Sequence, residues 1–137
     1  MKPIVVSTIM LFAFGTGQAM AACPAPKADA TTIAALLSNR YACATRGNES
    51  WNELHQSGTV TDYKRGPTDP VDPSTVVGTY AINNSNGVGQ DTITYNYGSG
   101  GSFTYSISPS SSALGTYTFC NVSTSEVITV TVSASHC

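Results

Sequence analysis

From residue 76 to the end of the chain, apolar and hydroxyl side chains alternate with few interruptions. A period of two places successive side chains on opposite faces of a β-strand. Tyr, Phe, Ile and Val fall on one face and Thr and Ser on the other, in the runs 92–97, 102–107, 116–119 and 128–132. Segments rich in Gly, Asn and Ser separate these runs. The pattern predicts an antiparallel meander with one buried face and one solvent-facing face.

The meander is predicted to contain five strands, at about residues 76–82, 91–97, 101–107, 115–121 and 126–134. Its opening tripeptide, Gly78-Thr79-Tyr80, and the alternation that follows resemble lipocalin- and avidin-like barrels. Five strands are too few to close such a barrel, so the resemblance implies no ligand site here.

A helix is predicted before the meander, over residues 29–46. Asp29 is placed to accept a hydrogen bond from a backbone amide of the first turn. Gly47 is a plausible end of the helix. One broad stripe at helical spacing would pack on the sheet, and it contains Ile33, Leu36, Leu37, Arg40 and Tyr41. The predicted fold class is therefore α+β, with one helix on a five-stranded antiparallel sheet.

Residues 47–75 are predicted to form a polar loop that Pro67, Pro70 and Pro73 stiffen. The loop contains the single tryptophan, Trp51, and one of the two histidines, His55. A long loop with a large aromatic residue is either a binding surface or a belt across the sheet edge. We favour the belt, with Trp51 buried beneath it.

The first 21 residues have the pattern of a secretory signal peptide. Lys2 is followed by the apolar run 4–14 and by the small-residue site Ala19-Met20-Ala21. Cleavage after Ala21 would leave one small domain, residues 22–137. The nearby Cys23 leaves lipidation as an alternative, although Met20 stands where a lipobox usually has Leu. The apolar run is too short to span a bilayer.

The net charge is −2 and the cations are dispersed, which excludes a nucleic-acid surface. Low charge and four cysteines in an exported chain predict two disulfides and a secreted or periplasmic location. The favoured pairing joins Cys23 to Cys43 and Cys120 to Cys137. If a bulge turns Cys120 inward, Cys43–Cys120 with Cys23–Cys137 becomes the better pairing.

No cofactor or metal site is predicted. The spacings typical of zinc sites are missing, and Asp69 and Asp72 are a weak signal for calcium. A hydrolase would have to combine His55 with Ser50 or Ser57, and no nucleophile elbow is present. Glu49 and Glu53 form a carboxylate pair that nothing distinguishes from an ordinary solvated helix face.

The sequence favours a small exported, non-enzymatic domain that binds another protein or a surface. The predicted binding residues lie in the loop: Trp51, His55, Asp62, Tyr63, Lys64 and Arg65. The first alternative is a structural subunit of an extracellular filament or layer, because the uncharged strand 127–132 is typical of an unprotected sheet edge. The second alternative is a hydrolase centred on His55. The Thr-rich face is expected to face solvent.

Overall fold

The computed structural model describes residues 23–63, 75–85, 91–109, 115–124 and 126–137, apart from the side chain of Glu49. The predicted signal peptide and the predicted binding residues Lys64 and Arg65 lie outside the described residues. One helix, α1 (Ala30–Leu37), precedes eight strands. These are β1 (Arg40–Arg46), β2 (Glu49–Gln56), β3 (Thr59–Asp62), β4 (Thr75–Asn83), β5 (Thr92–Asn96), β6 (Ser102–Pro109), β7 (Thr116–Asn121) and β8 (Val127–Ser133).

The eight strands form a closed antiparallel barrel in sequence order. Strand β1 pairs with β8, with Ala42 opposite Val132 and Cys43 opposite Thr131. The predicted α+β fold, a helix on an open five-stranded sheet, is therefore wrong. The five predicted strands are present as β4–β8, and three further strands, β1–β3, complete the barrel. Those three strands come from the segments predicted to be the second half of the helix and the polar loop.

The helix is about half as long as predicted. It ends at Leu37, and Asn39 has a φ of 54°, which reverses the chain into β1. The alanines of β1 favour a helix by intrinsic propensity. In the barrel, however, Ala42 and Ala44 point inward opposite Glu53 and Trp51. Tertiary pairing on both sides of β1 has overridden the local preference.

Two tight turns and two strands occupy the first part of the predicted loop, and its proline-containing part, residues 64–74, lies outside the described residues. Arg46 pairs with Glu49 around a two-residue turn that includes Gly47, which is a hairpin residue rather than a helix stop. Gln56 pairs with Thr59 around Ser57 and Gly58, which have φ values of 49° and 80°. Two successive positive φ values are the conformation of a type I′ hairpin turn. Strands β2 and β3 therefore belong to the meander.

The predicted facing of the meander side chains is confirmed. The large apolar residues point into the barrel and are buried, as shown by Ile93, Tyr95, Tyr105, Ile107, Phe119 and Val130. The threonines lie on the outer face, where the hydroxyls of Thr94 and Thr104 are 2.9 Å apart. The alternation of apolar and hydroxyl residues thus predicts, for five strands, which side chains point into the barrel and which point outward.

Helix α1 closes one end of the barrel. Its Ile33 and Leu37 are fully buried against the inward residues at that end. Asp29 accepts a hydrogen bond from Thr32 N at 2.7 Å, as predicted for a cap, and Asp91 accepts one from Ala30 N at 2.8 Å. Backbone N–H donors from Ser85 and Ala30 lower the pKa of Asp91. The helix therefore has carboxylate caps from two parts of the chain.

The two disulfides follow the one pairing that the sequence did not favour. Cys23 pairs with Cys120 and Cys43 with Cys137, with Cα–Cα distances of 5.5 and 5.8 Å. Cys43 and Cys120 both point outward, but β8 lies between their strands. Each terminal segment therefore runs over the outside of the barrel to the cysteine that it can reach. The two disulfides indicate an oxidising compartment.

The last strand is not a free edge. Strand β8 pairs with β7 on one side and with β1 on the other. The edge from which self-assembly was predicted is therefore occupied by the protein itself. Within the described ranges, no helix has the length and hydropathy needed to cross a membrane.

Candidate functional site

A cavity of about 940 Å³ lies inside the barrel toward the end opposite α1. Aromatic residues line it on β2 and along β5 to β7, namely Trp51, Tyr95, Tyr97, Phe103, Tyr105 and Phe119. Small and aliphatic residues line it on β1 and β8, namely Ala42, Ala44, Ile128 and Val130, and Val77 lines it on β4. The small side chains of β1 leave this space, because alanine does not reach across the barrel as the tyrosines of the facing strands do. The meander thus encloses a cup with a helix as its base.

Strand β2 contributes three inward residues at three depths. Trp51 lies near the mouth, Glu53 lies midway and His55 lies next to the closed end, where it is fully buried. Their alternation is the normal two-residue period of a strand. Because two of the three are polar, the strand carries polar chemistry into the barrel interior.

The lower polar layer joins His55 to Tyr95. The imidazole Nδ1 lies 3.0 Å from the carbonyl oxygen of Glu53, and Nε2 lies 2.8 Å from the Tyr95 hydroxyl. A carbonyl oxygen only accepts, so Nδ1 carries the proton and Nε2 accepts from Tyr95. Burial lowers the pKa of His55 to about 4, and hydrogen bonds to backbone groups of Glu53 and Arg40 partly oppose this shift. His55 is therefore neutral at physiological pH.

The upper polar layer joins Glu53 to Tyr97. The Tyr97 hydroxyl donates to the Glu53 carboxylate, with oxygen–oxygen distances of 3.0 and 3.2 Å. Burial, and then the charge of Glu53, raise the pKa of Tyr97 well above its usual value. The rings of Tyr95 and Tyr97 are stacked, with centroids 6.0 Å apart. The two layers therefore position one carboxylate against an aromatic wall.

A second carboxylate lies beside Glu53. Asp62 on β3 is the register partner of Glu53 on β2, so both side chains point to the same face of the sheet. Both residues line the cavity, and their exposed fractions are only 9% for Glu53 and 8% for Asp62. Acidic residues are almost never this buried without a partner or a function.

The mouth of the cavity carries a cation that an acid and an aromatic ring hold in place. Arg46 forms an ion pair with Glu126, although its own side chain is 54% exposed. Its guanidinium carbon also lies 5.2 Å from the centroid of the Trp51 ring, within the range of a cation–π contact. These contacts connect β1, β2 and the start of β8 around the entrance.

The structure brings several of the predicted binding residues to this cavity. Trp51, Asp62 and Tyr63 line it, and His55 lies just below it. Trp51 is half-buried on a strand rather than buried under a loop. Tyr63 also contacts the ring of Tyr41, with centroids 5.5 Å apart. Trp51, Asp62 and Tyr63 are therefore strand or strand-end residues that line the cavity, whereas His55 lies below it near the closed end.

The sequence did not identify the upper polar layer. Glu53 was assigned to a solvated helix face, and Tyr97 was assigned to the core of the meander. The missed signal is the parity of β2, in which Trp51, Glu53 and His55 share one face while Leu54 lies on the other. Because the buried face of β2 carries polar residues, its alternation pattern suggests that this face points to solvent.

The described residues include no group of three His, Cys, Asp or Glu side chains arranged to hold a metal ion. Ser50 lies at the opposite end of β2 from His55, and Ser57 is an exposed turn residue. The hydrogen bonds of the His55 ring thus go to a phenol and to the backbone rather than to a serine.

The chain matches no protein-family model, no curated protein and no solved structure. Any proposal about its function therefore has to come from the residues of the barrel.

Proposed function

We propose that this protein is an exported, non-enzymatic binding protein that holds a small organic molecule inside its barrel. The observation that carries the proposal is the cavity of about 940 Å³, which α1 closes at one end and which the described residues leave open at the other. Ligand pockets of drug-sized molecules have volumes of this order, and the mouths of β-barrels are a common place for them. The sequence favoured a protein or surface partner, whereas the cavity supports a small-molecule ligand.

The chemistry of the walls supports the same proposal. Binding sites for small molecules are mainly hydrophobic and aromatic, with a few placed polar groups that fix orientation. Here seven aromatic residues, together with alanine, valine and isoleucine side chains, surround one carboxylate layer. A barrel that served only as a scaffold would gain stability from larger side chains at Ala42 and Ala44, which would fill the space.

The place of action follows from two features. The two disulfides indicate an oxidising compartment, and the first 21 residues have the pattern of a signal peptide. We propose that the protein is secreted or periplasmic and takes up its ligand there.

Binding can be read from the single tryptophan, because Trp51 lines the cavity. The probe is N-phenyl-1-naphthylamine, a neutral apolar dye that is excited by tryptophan emission. We expect saturable energy transfer from Trp51 to the dye. Ala44→Phe should weaken dye binding at least tenfold, because the phenyl ring fills the cavity.

The matched control is Ala81→Phe, the same substitution on the exposed outer face of β4. It should bind the dye within twofold of the unmodified protein. Absence of saturable dye binding, or equal loss in both variants, would contradict the proposal.

A further inference from the structure

We infer that the ligand is a flat aromatic ring compound, bound between the aromatic rings of β5–β7 and the alanines of β1. This inference rests on the proposed function, since it names the class of ligand for the same cavity. It comes from three features of the described lining: the continuous contacts among the rings, the tilt of the rings and the small side chains across the barrel.

The aromatic rings of β5, β6 and β7 form one continuous set of contacts along the cavity. The centroid of the Tyr97 ring lies 6.2 Å from that of Phe103 and 6.0 Å from that of Tyr95. The centroid of the Tyr105 ring lies 6.1 Å from that of Tyr95 and 6.2 Å from that of Phe119. All five side chains line the cavity. A ligand ring placed against them therefore meets several protein rings at once.

The tilt of these rings favours an aromatic ligand over an aliphatic one. The ring planes of Tyr97 and Phe103 are inclined at 56°, and those of Tyr95 and Tyr105 at 68°. Inclined neighbours present ring faces, which are negative, next to ring edges, which are positive. A ligand ring can stack on a face and meet an edge, and both contacts add attraction beyond the burial of area. A saturated molecule of the same size gains from burial alone.

The side chains on the opposite side of the barrel are small. In a closed ring of eight strands, β1 and β5 are four strands apart in both directions, so they lie across from each other. Ala42 and Ala44 line the cavity on β1, and Tyr95 and Tyr97 line it on β5. The alanine methyl groups leave the space between the two strands unfilled. A flat, rigid ring can occupy this space, and it loses less conformational freedom on binding than a flexible chain does.

The test uses three uncharged alcohols that have eleven carbon atoms each, so that charge does not affect the comparison. They are 2-naphthalenemethanol, its fully hydrogenated form decahydro-2-naphthalenemethanol, and 1-undecanol. Each is titrated against the protein with bound N-phenyl-1-naphthylamine, and displacement is measured from the emission of the directly excited dye. The two saturated alcohols are the more hydrophobic, so burial of apolar surface alone would favour them.

We expect 2-naphthalenemethanol to bind at least fivefold more tightly than either saturated alcohol, because only its rings form aromatic pairs with the protein. Equal affinity for the aromatic and the saturated alcohols would overturn the inference. Tighter binding of either saturated alcohol would overturn it as well.

Three variants locate the aromatic site. Phe103→Leu removes a ring but keeps an apolar side chain, at a position that is 37% exposed and so tolerates the change. It should reduce the preference for the aromatic alcohol at least threefold and leave the affinity for the saturated alcohols within twofold. The matched control is Tyr117→Leu, which removes a ring that packs on the core at the start of β7 without lining the cavity. It should leave the preference within twofold.

Trp51→Leu repeats the test if Phe103→Leu fails to fold, since Trp51 lines the cavity beside Ala44. The measurement remains possible because the dye is excited directly. An unchanged preference in the variants of Phe103 and Trp51, or an equal loss of preference in Tyr117→Leu, would refute the assigned site.

The outcomes separate this inference from the proposed function. If the dye binds in the cavity and the three alcohols show no preference for the aromatic one, the proposed function stands and the ligand class is wrong. If neither the dye nor any alcohol binds saturably, both are wrong.

Discussion

His55 shows how a single residue in this barrel couples its protonation state to folding. It is fully buried, and its ring is held between the Tyr95 hydroxyl and a backbone carbonyl. Protonation would place a charge on a group that the barrel has removed from water. Because burial lowers the pKa of folded His55 to about 4, while an unfolded histidine titrates near 6.5, acid favours the unfolded state.

The first prediction at this scale concerns the pH dependence of stability. A base with a lowered folded pKa contributes its full stability above the unfolded pKa and loses it as the pH falls toward the folded pKa. We expect the free energy of unfolding to fall by about 2 kcal/mol between pH 7 and pH 5, from the difference between the two pKa values. Urea denaturation at a series of pH values measures this.

The control for this prediction is His55→Gln, which removes the titrating ring. The variant is expected to be less stable at pH 7 but to show little change between pH 7 and pH 5. Asp91 does not interfere, because hydrogen bonds from the backbone amides of Ser85 and Ala30 lower the pKa of its carboxyl group, which keeps its titration below this pH range. An identical pH profile in the two proteins would show that His55 is not the responsible group.

Individual residues also show which parts of the candidate site the sequence did not predict. The burial of Tyr95 and Tyr105 follows from alternation alone. The burial of Glu53 does not, because a charged residue is expected outside unless its partner is known. Tyr97, which donates to it, is 44 positions away in sequence. The candidate site could therefore be predicted only in its aromatic part.

Helix α1 closes one end of the barrel, whereas the strands form its wall. It is an eight-residue helix, which would not be stable alone in water. It persists because Asp29 and Asp91 cap its first turn and because Ile33 and Leu37 are fully buried at the closed end of the barrel. The helix is therefore a plug whose stability depends on the strands beneath it.

The prediction for this element compares two neighbouring leucines. Leu37→Ala should lower the free energy of unfolding by about 2–5 kcal/mol, because it leaves a cavity in a fully buried position. Leu36→Ala removes the same atoms from a half-buried position and should cost clearly less. Chemical denaturation of the two variants checks this. Equal losses would mean that α1 does not close the barrel as described.

The strands show why the fold was predicted only in part. Strands β4–β8 have their apolar residues inside and were located to within two residues at each end. Strands β1 and β2 place alanines and polar residues inside, so binary patterning does not mark them as strands. Gly47 was expected to end a helix, whereas it lies in the hairpin turn that ends β1. The glycine therefore marked the correct end of a secondary-structure element but the wrong type of element.

For the whole molecule, closure depends on contacts that no local pattern encodes. The pairing of β1 with β8 joins residues about 90 positions apart in sequence, as for Cys43 and Thr131. Both disulfides lie outside the barrel and attach the terminal segments to it, with separations of 97 and 94 residues. The cavity exists only because the pairing of β1 with β8 closes the sheet around an interior space.

The account as a whole claims that a small organic ligand lies inside the closed barrel. NMR of the protein with N-phenyl-1-naphthylamine tests this directly, through nuclear Overhauser effects between the aromatic protons of the dye and protein methyl groups. The account predicts contacts with the inward methyls of Ala44 and Val130 and none with the outward methyls of Thr129 and Thr131. Contacts only with the outward threonine methyls would contradict it.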